Sequence, residues 1–123
     1  MAAADEPTLL LRDRDEWDAW LDAHGDQPGG VWVVIAKKGT TTPTSLTFDE
    51  ALDVGIAHGW VDVQNRRRDE ATYMLRFTPR RARSTWGVNN VRRVERLAAE
   101  GRMRPRGIAE VERAKADGRW PAE

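Results

Sequence analysis

Apolar residues fall at helical spacing in four segments of the chain and at strand spacing in three. Trp17, Trp20, Leu21 and His24 stand at i, i+3, i+4 and i+7, with Asp13 placed as a cap and Glu16 three residues on, so an amphipathic helix is predicted that ends at Gly25. The stretch VWVVIAKK (31–38) is apolar on both alternating faces, the pattern of a strand covered on both sides and central in its sheet. Thr47 and Glu50 form a capping box before a stripe of Phe48, Ala51, Leu52, Gly55, Ile56 and Gly59, whose glycines predict close packing of this second helix on the sheet. Then WVDV, a polar turn QNRRRDE and ATYMLRF read as a hairpin. Alternation puts Val61 and Val63 with Tyr73, Leu75 and Phe77 on its core face, and leaves Trp60, Asp62, Met74 and Arg76 together on the other.

Pro79 makes TPRRARS an extended connection that presents Arg80, Arg81 and Arg83 on a loop. Ser84 or Thr85 is placed to cap a third helix from about Trp86 to Glu100, with Val88, Val91, Val94 or Glu95, and Ala98 inward. A fourth starts near Pro105, turns Ile108, Val111 and Ala114 inward and stops at Gly118. Leu9–Leu11 adds a short edge strand after a flexible tail over residues 1–8, leaving residues 9–123 as a single domain. The predicted fold is α+β: an antiparallel or mixed sheet of three to four strands packed with about four helices around one core. Trp17 and Trp20 each carry about 200 Å² of buriable surface, which assigns them to that core.

At 123 residues the chain is large enough to stand without staples, and it has no cysteine for disulfides, thiolate metal sites or thiol nucleophiles. A metal would have to use His24, His58 and carboxylates, and no HxH or HxxxH spacing is present. With neither GxGxxG nor a P-loop, no metal and no cofactor is expected. The opening MAAADEPTLLLRDRDEW reads as neither a secretion signal nor a membrane span, so a cytoplasmic protein without membrane insertion is expected.

Charge changes the picture because it is uneven. Formal net charge is zero, yet ten arginines between Gln64 and Arg96 face only Asp69, Glu70 and Glu95, whereas residues 1–30 hold eight acids against Arg12 and Arg14. Either the arginine-rich middle takes an anionic ligand, or the acidic front neutralises it within the fold. The run PRRARSTWGVNNVRR brings guanidinium forks, a cap hydroxyl, a helix N-terminus and Asn89 or Asn90 to one place, the donor set for a carboxylate or phosphate. Candidate ligand-binding residues are therefore Lys37, Trp60, Asp62, Arg76, Arg80, Arg81, Arg83, Ser84, Trp86 and Asn89. The alternative is that these arginines pair with the acidic first helix and lie over Trp86.

No catalytic residue is assigned: Ser84, His58 and Asp62 are the raw material of a triad, but no GxSxG elbow surrounds either serine. A carboxylate beside Arg76 and Arg80 is a poor general base near neutrality, which gives Asp62 a recognition or structural role. A small enzyme acting on an anionic substrate, with Asp62 or His58 as acid or base, stands as the alternative. A third reading has the acidic first helix bind a cationic peptide. Neutral overall charge and missing RNP, KH or zinc-finger signatures argue against nucleic acid.

The ordered blocks DEWDAWL, VWVVIAKKG, LTFDEALDVGIAHGWVD, YMLRFTPRRARSTW, NVRRVERLAAEGRM and AKADGRW resemble the bacterial YdeI/OmpD-associated (OmdA) family, also labelled bacteriocin-protection proteins, from about Leu10 to Trp120. The resemblance implies a role in stress response, protecting against bacteriocins or other envelope stress, and carries over no reaction, cofactor or catalytic residue. Its hallmark segments fall on Lys37, Lys38, Gly59, Trp60, Asp62, Phe77, Thr78, Pro79, Arg80, Arg81, Ser84 and Trp86. His58 stands where the family pattern more often has a non-titrating residue. The expectation is a non-enzymatic binding or stress-protection protein that recognises an anionic group through arginine and tryptophan.

Overall fold

Side-chain caps start the first two helices. Asp13 Oδ1 accepts from the Glu16 N–H at 3.1 Å, while the Glu16 carboxylate turns back to the N–H of Arg12 at 2.7 Å. Thr47 and Glu50 close a reciprocal box, each side chain accepting from the other's N–H at 3.2 and 3.1 Å. Both devices satisfy N–H groups that a helix start leaves without partners. The computed structural model describes residues 6–81 and 84–121. In chain order these form β1 (Thr8–Leu9), α1 (Arg14–His24), β2 (Val31–Ala36), α2 (Phe48–Ala57), β3 (Trp60–Arg67), β4 (Thr72–Pro79), α3 (Val88–Ala99) and α4 (Pro105–Ala116).

The sheet runs β1-β2-β4-β3, with β1 parallel to β2 and the other neighbours antiparallel, so the α+β fold carries a four-stranded mixed sheet. All six residues of β2 are buried, as its unbroken apolar run requires. Trp17 and Leu21 of α1, with Ala51 and Val54 of α2, pack on Val31, Val33, Ile35, Leu75 and Phe77 of the sheet. Gly55 permits that approach, since a β-carbon there would meet the Phe77 ring at 2.9 Å. A second cluster joins Ile56 and Ala57 of α2 to Trp86, to Val91, Val94 and Leu97 of α3, and to Val111 and Ala114 of α4. The single expected core is thus two clusters, and α2 contributes to both. Leu97, not Ala98, turns inward on α3, and Ile108 stays exposed on α4. Residues 6–8, expected in the tail, are fastened instead: Thr8 pairs with Trp32, and Glu6 bonds Arg76.

The hairpin departs from simple alternation. Asp62 lies opposite Phe77, but Gln64 lies opposite Arg76, so the register shifts around Val63, which is 50% exposed. A bulge of this kind inverts the alternation beyond it. Trp60 and Asp62 therefore share the face of Phe77, and Arg76 lies on the other face with Gln64, Arg66 and Met74. Trp60 is fully buried and its Nε1 donates to the Gly25 carbonyl at 3.0 Å. The largest apolar side chain of the strand takes the core position that alternation offered to Val61 and Val63. Gly59 sets this phase, because its φ of 81° turns α2 directly into β3. β3 then runs on to Arg67, and the turn belongs to Asp69, whose Oδ1 accepts from the N–H of Ala71 and from the N–H and hydroxyl of Thr72.

Candidate functional site

Four of the ten clustered arginines are bonded to carboxylates within the fold. Arg76 grips Glu6 with a fork, Nε to Oε1 at 2.7 Å and Nη2 to Oε2 at 3.0 Å, and that pairing holds the Glu6 carboxyl below its ordinary range. Arg93 and Arg96 converge on Oδ1 of Asp53, a buried carboxylate of α2, at 2.8 and 2.6 Å. Arg68 bonds Asp69, and Arg66 stands 4.3 Å above the Trp32 ring. Arg67, Arg81 and Arg92 are exposed, and Arg83 lies outside the described residues. The acidic front supplies one of these partners, Glu6; the others come from Asp53 and Asp69.

Arg80 differs from all of these. Its residue is only 7% exposed, its Cζ sits 3.7 Å from the Trp86 ring centroid, and Nη1 donates to the Thr85 carbonyl at 3.1 Å. Nε and Nη2, which form one edge of the guanidinium, are buried and have no hydrogen-bond partner among the described residues. Burial pushes this guanidinium down to about 10; Glu110 and Asp62 oppose the shift, and Arg119 adds to it. Asp62 borders a cavity of about 10 Å³ with Arg80 and Asn90, room for a single water. No direct bond joins Asp62 to Arg80 among the described residues, so the expected tie to Arg76 and Arg80 is not made.

The loop and helix beside Arg80 are built differently from the sequence-based expectation. Ser84 Oγ accepts from the Arg81 N–H at 2.9 Å and so closes a turn instead of capping the helix. α3 starts two residues later than expected, at Val88, on Gly87, which makes no side-chain cap. The N–H groups of Val88, Asn89 and Asn90 find no acceptor among the described residues, and Asn89 is exposed. From the far end of the chain comes Arg119: its Nη1 donates to the Ser84 carbonyl at 2.6 Å, its Nε to Asp117 at 2.8 Å, and its buried Nη2 has no partner among the described residues. Trp120 packs on Trp86 with ring centroids 5.1 Å apart.

Of the anticipated ligand set, Arg80, Ser84 and Trp86 gather at the start of α3, with Asp62 and Asn89 on its border. Lys37 lies away from it and donates to the Asp69 carbonyl at 2.9 Å in the hairpin turn. Trp60 belongs to the core but also lines the small cavity beside Arg80 and Asp62, whereas Arg76 lies on the opposite sheet face, away from Arg80. Arg119 and Trp120 were missed, although the basic–aromatic pair in AKADGRW was their signal. His58 is 1% exposed, with Nε2 at 2.7 Å from Asp18 Oδ1 and Nδ1 at 4.0 Å from Asp22. Since a carboxylate only accepts, Nε2 carries the proton. Burial raises the Asp18 carboxyl, but the bonds from His58 and Arg104 outweigh it and hold the group below its ordinary range. Ser84 thus bonds Arg81 and His58 bonds Asp18, and among the described residues neither bonds Asp62, so the three form no triad there.

Among the described residues no group of three or more His, Cys, Asp or Glu is arranged to hold a metal ion, and no helix is long and apolar enough to cross a membrane. No curated protein and no solved structure matches the chain. One family model, described as Domain of unknown function (DUF8412), matches residues 9–110, which covers the sheet except Thr8, α1 to α3 and the first half of α4. The protein that holds Arg80 against Trp86 therefore belongs to the DUF8412 family, whose function is unknown.

Proposed function

We propose that the protein is a non-enzymatic binding protein that recognises an anionic group with Arg80 at the start of α3. One observation carries the reading: a guanidinium buried on Trp86 has an entire donor edge without a hydrogen-bond partner among the described residues. Leaving buried charged donors unbonded costs on the order of 1–3 kcal/mol or more, and an oxyanion taken side-on by Nε and Nη2 recovers that cost. The uncapped first turn of α3 adds N–H groups and a positive dipole end on the same border. Because both Arg80 donors are covered, binding has to displace their neighbours, and the apparent affinity falls by the fraction of molecules in the open form. The resemblance to YdeI/OmpD-associated proteins supports a role for this recognition in bacterial stress protection, and a cytoplasmic location is part of the same proposal.

The test is a titration of the full chain with sulfate, inorganic phosphate and acetate, followed by calorimetry and by thermal unfolding. At least one of these anions is expected to bind saturably and to raise the unfolding midpoint. Arg80→Gln should weaken that binding tenfold or more, Arg80→Lys should weaken it while keeping the charge, and Arg67→Gln should leave it unchanged. No saturable binding by the wild type, or wild-type affinity in Arg80→Gln, overturns the reading.

A further inference from the structure

We infer that Arg119 supplies a second guanidinium to this site, and that the group recognised is a tetrahedral oxyanion, phosphoryl or sulfuryl, in preference to a planar carboxylate. The inference rests on the anion reading of Arg80. Two anchors bring the side chains together: Arg80 Nη1 donates to the carbonyl of Thr85, and Arg119 Nη1 to the carbonyl of Ser84. These carbonyls belong to adjacent residues, whose Cα atoms are about 3.8 Å apart. The approach also shows electrostatically, since Arg119 is among the groups that make the Arg80 charge harder to hold. Two cations anchored on adjacent carbonyls, each with a buried Nη2 that has no partner among the described residues, form an arrangement that an anion relieves.

Donor count selects the shape of the ligand. The edge of Arg80 offers Nε and Nη2 in one plane, which a carboxylate satisfies alone. Arg119 Nη2 is a third donor, on a separate guanidinium, and it calls for an acceptor oxygen beyond the two that the Arg80 edge takes. A tetrahedral oxyanion has one, and a carboxylate does not. Asp117 on Arg119, and Asp62 and Glu110 around Arg80, moderate the local field, so the distinction lies in the geometry of the donors more than in net charge.

The terminal turn is fixed well enough to hold its guanidinium in place. The N–H groups of Arg119 and Trp120 both donate to the Ala114 carbonyl, at 2.8 and 3.2 Å, and Trp120 leans on Trp86, the ring that carries Arg80. Arg119 lies beyond residues 9–110, the stretch matched by the family model.

Calorimetric titration of the full chain with inorganic phosphate, sulfate, phenyl phosphate and acetate tests the inference, alongside Arg119→Gln, Arg119→Lys and Arg80→Gln, each checked for its unfolding midpoint without anion. Phosphate or sulfate is expected to bind at least tenfold more tightly than acetate. Arg119→Gln should weaken phosphate and sulfate tenfold or more and acetate less than threefold, which removes the preference; Arg119→Lys, which keeps the charge on the same turn, should fall in between. Tighter binding of phenyl phosphate than of phosphate supports the inference and identifies an ester as the source, whereas the reverse order supports it with the free ion. If acetate binds as tightly as phosphate, or if both Arg119 variants keep wild-type phosphate affinity while Arg80→Gln loses it, the inference fails and the Arg80 reading survives. If no anion binds the wild type, both fail.

Discussion

Arg76 in β4 and Arg80 just past its end stand four residues apart, and their surroundings give them opposite chemistry. Arg76 is neutralised by a fork onto Glu6, which raises its hold on the proton, whereas Arg80 is buried on an indole and brought down to about 10. An anion on Arg80 favours the protonated guanidinium, so sulfate affinity should stay level from pH 7 to about 9 and fall up to tenfold per pH unit above about 10. Calorimetry across that range checks it, and a level profile to pH 11 would exclude Arg80 as the binding group. Folding responds in the other sense. Between about 10 and the ordinary arginine range the unfolded chain binds more protons at this position, so the contribution of Arg80 to stability rises with pH. A list of arginines in a sequence does not reveal this difference, because burial and partners, not residue type, set it.

At the scale of elements, local signals are legible in the sequence and the phase of the faces they present is not. Asp13 and Thr47 cap the helices they were expected to cap, and the unbroken apolar run of β2 became the buried strand. Local bonds within four residues determine such features. The hairpin face was misassigned because one bulged residue, Val63, inverts the alternation, and the start of α3 because Ser84 spends its hydroxyl on Arg81. Gly55 shows how tightly these elements then fit. In Gly55→Ala the gain in helix propensity, up to about 1 kcal/mol, is outweighed by overpacking against the buried Phe77 ring at about 1–3 kcal/mol. The urea midpoint should drop with an unchanged slope; a higher midpoint would show that Phe77 yields at little cost.

At the scale of the molecule, carboxylates tie distant parts of the chain together. Glu6 fastens the chain's front to β4, Asp18 joins α1 to His58 and Arg104, and Asp69 closes the hairpin, each held below its ordinary range by these partners. Lowered values mean that the unfolded chain takes up protons first as pH falls through about 4, so the stability these groups add is present above that range and lost below it. The thermal midpoint is expected to hold between pH 7 and 5 and to decline steadily from pH 4 to 2, less steeply in Asp18→Asn. Equal slopes for the variant and the wild type would remove Asp18 from this account. By itself the sequence determined the number and kind of elements, the caps and the central strand, since each depends on neighbours within a few residues. It also placed positive charge and tryptophan at the start of α3. Only the tertiary structure decided which arginines are satisfied, because Glu6, Asp53 and Arg119 reach their partners across 70, 43 and 35 positions of chain, and the contacts of a folded surface are not encoded in local spacing.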